Sequence, residues 1–189
     1  MIDDAQILDG GPIVVTKFNE DSAIKFVQDL NKKSLRDDSE PIVITIDSYG
    51  GELYSLMTMI DAIDALENRL IITHCLGKAM SCGAVLLSVG HIRYASPHST
   101  IMIHEASAGA VGNINDIKVD LQETERLNSI ILNILASRMK LKGGVNALKK
   151  MFTNEKRDLF LTPTQAKKLK VIDRIGSPKI SVTIKWEVR

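Results

Sequence analysis

The residues with the most chemistry to offer lie in Gly77-Lys78-Ala79-Met80-Ser81-Cys82-Gly83-Ala84-Val85-Leu86-Leu87. An apolar β-type run, Leu70 to Leu76, leads in, and a helical apolar run leads out. Ser81 therefore stands at a helix N-terminus among small residues. That suits a nucleophile, because a substrate backbone can approach and free N–H groups lie nearby. Taken alone, the stretch is most economically an N-cap serine at a crowded strand-to-helix turn. The rest of the chain changes that balance.

A serine nucleophile needs a base, a group to orient the base, and donors for the oxyanion. Of the four histidines, His74 falls inside a strand and fits a packed core position, while His91 and His98 sit in turns without an evident partner. His104 follows the apolar run Thr100 to Ile103 and precedes a flexible glycine-containing segment, so it can face a cleft from a sheet edge. Being simply a surface histidine at a strand end is an equal alternative at this point. Asp158 suits the orienting role because Leu159-Phe160-Leu161 anchors it against the core. Its rival, Asp173, adjoins Arg174 and fits an ion pair with it, and Asp116 and Asp120 lie on a polar helix face. Lys78 raises a Ser-Lys dyad, but it precedes the helix and fits an exposed position. Backbone N–H groups of Cys82, in the first helical turn, and of Gly51, where a glycine allows close approach, are candidate oxyanion donors. The order Ser, His, Asp is no objection, since triads are defined by geometry.

The elements that must position these residues follow from periodicity and turn chemistry. Ile13 to Phe18 predicts a strand, and Asn19 caps a helix with Ala23, Ile24, Val27 and Leu30 at helical spacing. Pro41 to Ile46 is a near-continuous β-branched run, the pattern of a strand buried on both faces. A helix from Glu52 to about Glu67, a strand over 70–76 and a helix over 81–89 come next. Such β-α alternation implies an α/β fold with parallel strands and right-handed crossovers. Working groups collect at the carboxyl ends of those strands, where Gly50-Gly51 and Ser81 both fall. Ile92 to Ala95 and Thr100 to Ile103 predict short strands. Asn115 is the expected cap of a long helix to about Met139, polar through Ser129 and apolar afterwards, which predicts a helix that projects at its start and joins the core later. A short helix through Met151 follows. Thr162-Pro163-Thr164-Gln165 is a capping box with proline at the first helical position. Val171 to Asp173 and Lys179 to Trp186 are candidate closing strands.

Composition excludes several classes. With 24 basic and 23 acidic residues, a net charge of +1 supplies no field for nucleic acid or an acidic membrane. Only 4% of residues are aromatic, so the core must be aliphatic and stacking on single strands is disfavoured. Cys75 and Cys82 lack metal-site spacing. No apolar run has the length of a membrane span, and the acidic start lacks signal-peptide character. The expectation is a single soluble cytoplasmic domain over residues 1–189, needing no metal or cofactor.

Four segments together resemble the proteolytic subunit of the Clp protease (ClpP): Ser48-Tyr49-Gly50-Gly51, Gly77 to Ala84, Ile101-Met102-Ile103-His104-Glu105, and Arg157 to Thr162. They occur in that family's order at near-family spacing, over about residues 13–175. The resemblance implies a ClpP/crotonase fold and a serine endopeptidase, with Ser81 as nucleophile, His104 as base, Asp158 as orienting acid, and Gly51 and Cys82 as oxyanion donors. Gly50, Glu52, Leu53 and Ser107 fall at substrate-binding positions. It further implies a strand-and-helix handle over about 105–139, formed by Ser107 to Val111 and the long helix. In the family, handles interdigitate so that heptameric rings stack as a tetradecamer around a proteolytic chamber. A handle strand of this kind pairs with substrate main chain, and the rings of the family engage a hexameric AAA+ unfoldase.

The departures concentrate near the pocket. Tyr49 replaces a proline, Cys82 replaces the usual methionine, and Glu52 stands where an aliphatic residue is usual, with the expectation that its charge disfavours acidic substrates. Lys156-Arg157 replaces a common Glu-Arg, with Glu155 as the substitute ring-to-ring partner. The twelve residues ahead of Ile13 lead to the expectation of a shortened axial segment and uncertain coupling to an ATPase. Two other readings compete. A crotonase-type acyl-CoA enzyme shares the fold and oxyanion hole but needs no Ser-His-Asp set, and a non-catalytic ring subunit would modulate a partner.

Overall fold

One nearly uninterrupted β-branched run and one apolar run form the centre of the molecule. In the computed structural model, which describes residues 11–35, 40–107, 109, 111–154 and 158–178, they are β2 (Ile42–Ser48) and β3 (Ile71–Met80). They pair in parallel from Ile42↔Ile71 to Ile46↔Cys75. Five successive residues at the start of each are buried, as expected of strands covered on both faces. β1 (Ile13–Val15) flanks β2, and β4 (Ile92–Ala95) and β7 (Arg174–Ile175) extend the other side, all parallel, in the order β1-β2-β3-β4-β7.

β3 is longer than its apolar run predicts, and the extra residues change neighbours. Its pairing with β4 ends at Cys75↔Ala95, and from Lys78↔Thr100 to Met80↔Met102 it pairs instead with β5 (Thr100–Ile103). β6 (Leu159–Leu161) then runs antiparallel along β5. Gly77-Lys78-Ala79-Met80 is thus a strand rather than a loop, and the sheet branches at this point.

The helices cover this sheet. α1 (Glu20–Ser34) starts at Asn19, whose Oδ1 accepts from Ser22 N–H while Asn19 N–H donates to Ser22 Oγ, both at 3.0 Å. α2 (Leu53–Asp64) packs on α1, and α3 (Cys82–Val89) is buried at every residue. α4 (Ile114–Arg138) is exposed through most of its first half and buries Leu127, Ile131, Leu132, Leu135 and Ala136 afterwards, the predicted change of character. α5 (Gly144–Asn154) and α6 (Pro163–Lys168) complete the fold, α6 with the Thr162–Gln165 capping box as expected. One aliphatic core runs from Ile13 to Ile172 with few aromatics.

Several expectations need correction. β1 stops at Val15, and Phe18 instead makes an isolated bridge to Gly51. The cap of α4 is Asn113 rather than Asn115, because its Oδ1 accepts from both Asn115 and Asp116 N–H. Ser107, Gly109 and Val111 form no strand in this chain, and Ala108 and Ala110 lie outside the described residues. Val171 to Asp173 is not a strand, and the closing strand β7 begins one residue later, at Arg174. Asp173 Oδ2 accepts from Arg93 N (2.9 Å) and Nε (2.8 Å), and Asp173 Oδ1 from a terminal guanidinium nitrogen (2.7 Å). Arg93, not Arg174, is therefore its partner. Arg174 donates to the Tyr94 hydroxyl at 2.9 Å. The segments 1–10, 155–157 and 179–189, which carry the expected axial tail, ring-to-ring charges and last strand, lie outside the described residues.

Arg93 is only 8% exposed, so removing the carboxylate would strand a mostly buried charge. Its guanidinium also holds the Asp173 carboxyl below its ordinary value. A carboxylate with a depressed folded pKa contributes stability that is present above the unfolded value, about 3.9, and lost as pH falls through the folded one. Asp173→Asn is expected to cost about 1–3 kcal/mol near neutrality, less than a fully buried pair because the carboxylate is half-exposed. Melting curves should show the gap to wild type closing below about pH 4; a gap that persists there would contradict the ion pair as its origin.

Candidate active site

Ser81 is the residue on which β3 becomes α3, and its backbone is unusual. It has φ 54° and ψ −122°, a conformation that costs a non-glycine residue about 1–3 kcal/mol. Two sets of hydrogen bonds hold it there. Its N–H donates to Met102 O at 2.9 Å, and its carbonyl accepts from Ala84 (2.9 Å) and Val85 (3.2 Å) N–H. Although Ser81 occupies the N-cap position, its side chain makes no cap hydrogen bond. The hydroxyl is instead 2.8 Å from His104 Nε2. A strained strand-to-helix turn that frees a serine hydroxyl is the geometry of a nucleophile elbow.

The sheet branch brings the partners to it. Met80↔Met102 pairing sets the end of β5 beside Ser81, and His104 is the first residue beyond β5. The antiparallel register Ile103↔Leu159 puts Asp158, one residue ahead of β6, opposite His104. Leu159 and Leu161 are buried as the anchor requires, with Phe160 exposed between them. His104 Nδ1 and Asp158 Oδ1 are 4.0 Å apart, an ion-pair separation rather than a hydrogen bond. His104 is half-buried, and the Asp158 side chain is 46% exposed.

The glycine pair is in direct contact with this turn. A Cβ on Gly50 would lie 2.7 Å from the Ser81 Cβ, and one on Gly51 would lie 2.3 Å from Phe18 O. Both have positive φ, 106° and 154°, so side chains are excluded on grounds of space and conformation together. Cys82 is the first residue of α3, whose leading N–H groups have no acceptor within the helix. Its thiol donates to Gly51 O at 3.2 Å. Burial pushes the Cys82 thiol up and Cys75 to about 11, so neither cysteine supplies a thiolate near neutral pH.

A cleft of about 60 Å³ opens beside these groups, lined by Gly51, Leu53, Ser81, His104 and Ser107. Glu52 stands next to Gly51, but its carboxylate accepts from Ser55 Oγ at 3.1 Å and is not part of the lining. Val85, Ile103, Ala106, Ile131 and Leu135 complete the apolar wall and were not singled out from the sequence. The helical spacing of Val85, Ile131 and Leu135 and the strand position of Ile103 mark them only as core, since periodicity does not distinguish a core wall from a cleft wall. Asn128 was also missed: its Oδ1 accepts from Ala106 N–H at 2.9 Å and ties the segment after His104 to α4.

The remaining candidates are engaged elsewhere. His74 is buried with its Nε2 2.9 Å from Ser96 Oγ, and burial lowers its pKa. His91 Nδ1 accepts from Ile71 N–H at 3.0 Å. Lys78 donates to Asp47 at 2.8 Å and lies 4.4 Å above the Tyr49 ring, so it is not paired with Ser81. Among the described residues no group of three or more His, Cys, Asp or Glu is placed to hold a metal, and no helix is long and apolar enough to cross a membrane.

The strain at Ser81 is measurable. Glycine relieves positive φ, so Ser81→Gly should be more stable than Ser81→Ala by about 2–3 kcal/mol. Glycine outranks alanine by about 1 kcal/mol at an ordinary N-cap, so only the excess over that value reports the strain. Urea denaturation of the two variants checks it, and a gap of about 1 kcal/mol or less would refute the strain.

A family model described as Clp protease matches residues 5–179, all but the first four and last ten positions of the 189. The matched span includes Ser81, His104, Asp158 and the glycine pair, and the parallel-dominated α/β sheet agrees with the fold expected of that family. On a match of that extent the chain belongs to the Clp protease family, and at the level of the family it is a peptidase.

Proposed function

We propose that the chain is a serine endopeptidase, the ATP-independent peptidase core of a self-compartmentalising protease, and that it hydrolyses peptide bonds in unfolded proteins or peptides. The observation that carries this reading is the 2.8 Å contact between Ser81 Oγ and His104 Nε2 at a turn that withholds the hydroxyl from capping. With the imidazole proton on Nδ1, the serine hydroxyl donates to Nε2. His104 takes that proton as Oγ attacks the scissile carbonyl, and the carbonyl oxygen becomes an oxyanion facing the N–H groups of Gly51 and Cys82. His104 then protonates the leaving amine, the C–N bond breaks, and an acyl-Ser81 ester remains. A water molecule, deprotonated by His104, hydrolyses that ester and restores Ser81.

Asp158 orients and stabilises the imidazolium. Its 4.0 Å separation from Nδ1 is loose, and catalytic contacts of this kind tighten when substrate binds. Leu53 and Ser107 flank the scissile bond, Gly50 leaves room for Ser81, and Glu52 stands outside the cleft lining with its carboxylate turned to Ser55. The apolar wall of Val85, Ile131 and Leu135 favours an aliphatic side chain there. An acyl-CoA enzyme of the same fold has no use for the Ser81–His104 contact, which weighs against that alternative.

Rings are the general assembly of the family, with unfoldases as partners. For this chain we place the handle over about 105–139, in one domain spanning 1–189, acting in the cytoplasm. The support is α4, which leaves Ile114, Val119 and Leu121 more than half exposed. Exposed apolar residues gathered on one face, here Ile114, Ile117 and Leu121 at i, i+3 and i+7, mark interaction surfaces. Heptameric rings stacked as a tetradecamer would cover them, and an AAA+ unfoldase would feed the chamber.

A fluorophosphonate should label the wild type at Ser81 by mass spectrometry. Ser81→Ala should abolish labelling, and His104→Ala should slow it by about 10⁴-fold or more. An assembled wild type that stays unlabelled would overturn the protease reading. Native mass measurement should find multiples of seven, and a stable monomer would refute the handle.

A further inference from the structure

The two glycines that flank the nucleophile turn pose a mechanical problem. An oxyanion donor must point at a fixed place before the reaction begins, yet a glycine peptide is the least restrained in the chain. Gly51 N–H belongs to the Gly50–Gly51 peptide, and its direction depends on what holds the peptides on either side. On one side Gly50 N–H donates to Ser48 Oγ at 3.1 Å. On the other, the Gly51–Glu52 peptide is held at both ends: Glu52 N–H donates to Phe18 O at 2.9 Å, and Gly51 O accepts from Cys82 Sγ at 3.2 Å. Of these contacts, only the last joins the glycine loop to the helix that begins at the nucleophile.

We propose that Cys82 is a positioning residue, whose thiol fixes the Gly51 carbonyl and so aims the Gly51 N–H at the oxyanion. The inference rests on the protease reading above. Cys82 is 1% exposed and lies among core residues, so solvent does not compete for the S–H proton. Its backbone N–H leads α3 and has no acceptor within the helix, which suits it to serve as the second donor. One residue thus supplies an oxyanion donor and holds the other, and motion of α3 carries both together. A sulfur donor is weak, but here it acts on a peptide already restrained at its nitrogen, so a small bias is enough to choose one orientation.

The test compares three substitutions in the full chain with a short fluorogenic peptide. Cys82→Ser keeps a donor, Cys82→Ala removes it and leaves a small gap, and Cys82→Val removes it while adding a methyl group, so the two donor-free variants bracket the native volume. The serine variant should retain kcat within about threefold. The alanine and valine variants should lose about tenfold in kcat with KM unchanged within about twofold, a smaller loss than the 10²–10³ for deleting a donor outright. A valine or alanine variant with wild-type kcat overturns the proposal, as does a serine variant that falls as far as alanine. Should neither donor-free variant fold, infrared spectroscopy of Cys75→Ala decides: the remaining S–H band should lie below the free-thiol frequency, and an unshifted band overturns the proposal. Fluorophosphonate labelling separates the two levels of failure. A wild type that does not react refutes the protease reading, whereas a reactive wild type beside an equally active Cys82→Val refutes only the role of the thiol.

Discussion

The structure depends on β3 outlasting its place in the main sheet. Up to Cys75 it is a central strand between β2 and β4, and from Lys78 onward it is the template for β5. Because register is fixed by main-chain pairing, the Met80↔Met102 partnership determines how far His104 stands from Ser81. The Ile103↔Leu159 partnership does the same for Asp158. Three residues separated by 23 and 54 positions in sequence are thus placed by two short ladders of three residue pairs each. A slip of one residue in either ladder would turn the side chains to the opposite face. Strand ends, rather than loop packing, carry the precision of the site.

The same junction explains how a serine in the N-cap position escapes the role of a cap. An N-cap residue normally takes extended backbone angles and turns its oxygen to the helix N–H groups, as Asn19, Asn113 and Thr162 do here. Ser81 is the N-cap of α3 with φ 54° and ψ −122°, and its side chain points elsewhere. The strain is offset by Met102 O, which takes the Ser81 N–H, and by a helix buried at every position. Gly50 completes the arrangement, since any side chain there would collide with Ser81.

Much of this was legible in the residues themselves. A near-continuous β-branched run and an apolar run marked the two central strands, small residues and glycines marked the crowded turn, and Asn19 and Thr162 announced their helices. The triad candidates, the glycine pair and the projecting helix could be singled out because each is a local pattern of residue types. What escaped depends on partners far along the chain. Asp173 beside Arg174 looks like a local ion pair, but its carboxylate is matched to Arg93, eighty residues earlier. The length of β3 was hidden because Gly77 and Lys78 look like a loop, and only pairing with β5 makes them strand. The choice of Asn113 over Asn115 turned on which amide could reach two N–H groups, a matter of backbone angle that residue type does not encode. The separation of Asp158 from His104 is likewise invisible in any motif.

The helix α4 joins two tasks that sequence patterning presents separately. Its second half contributes Ile131 and Leu135 to the cleft wall, and Asn128 holds the segment that follows His104. Its first half carries the exposed apolar residues, and Glu123 is fastened there to Arg126 and to the Tyr54 hydroxyl of α2 at 2.6–2.7 Å. Tyr54 adjoins Leu53, which lines the cleft together with Ile131 and Leu135 of α4. A continuous helix of this length is stiff, with every peptide bonded to the next turn. Neither proline nor glycine, the common causes of a kink, occurs anywhere in it. The exposed apolar half and the wall of the cleft are two parts of one continuous helix, and the segment after His104 is tied to its middle.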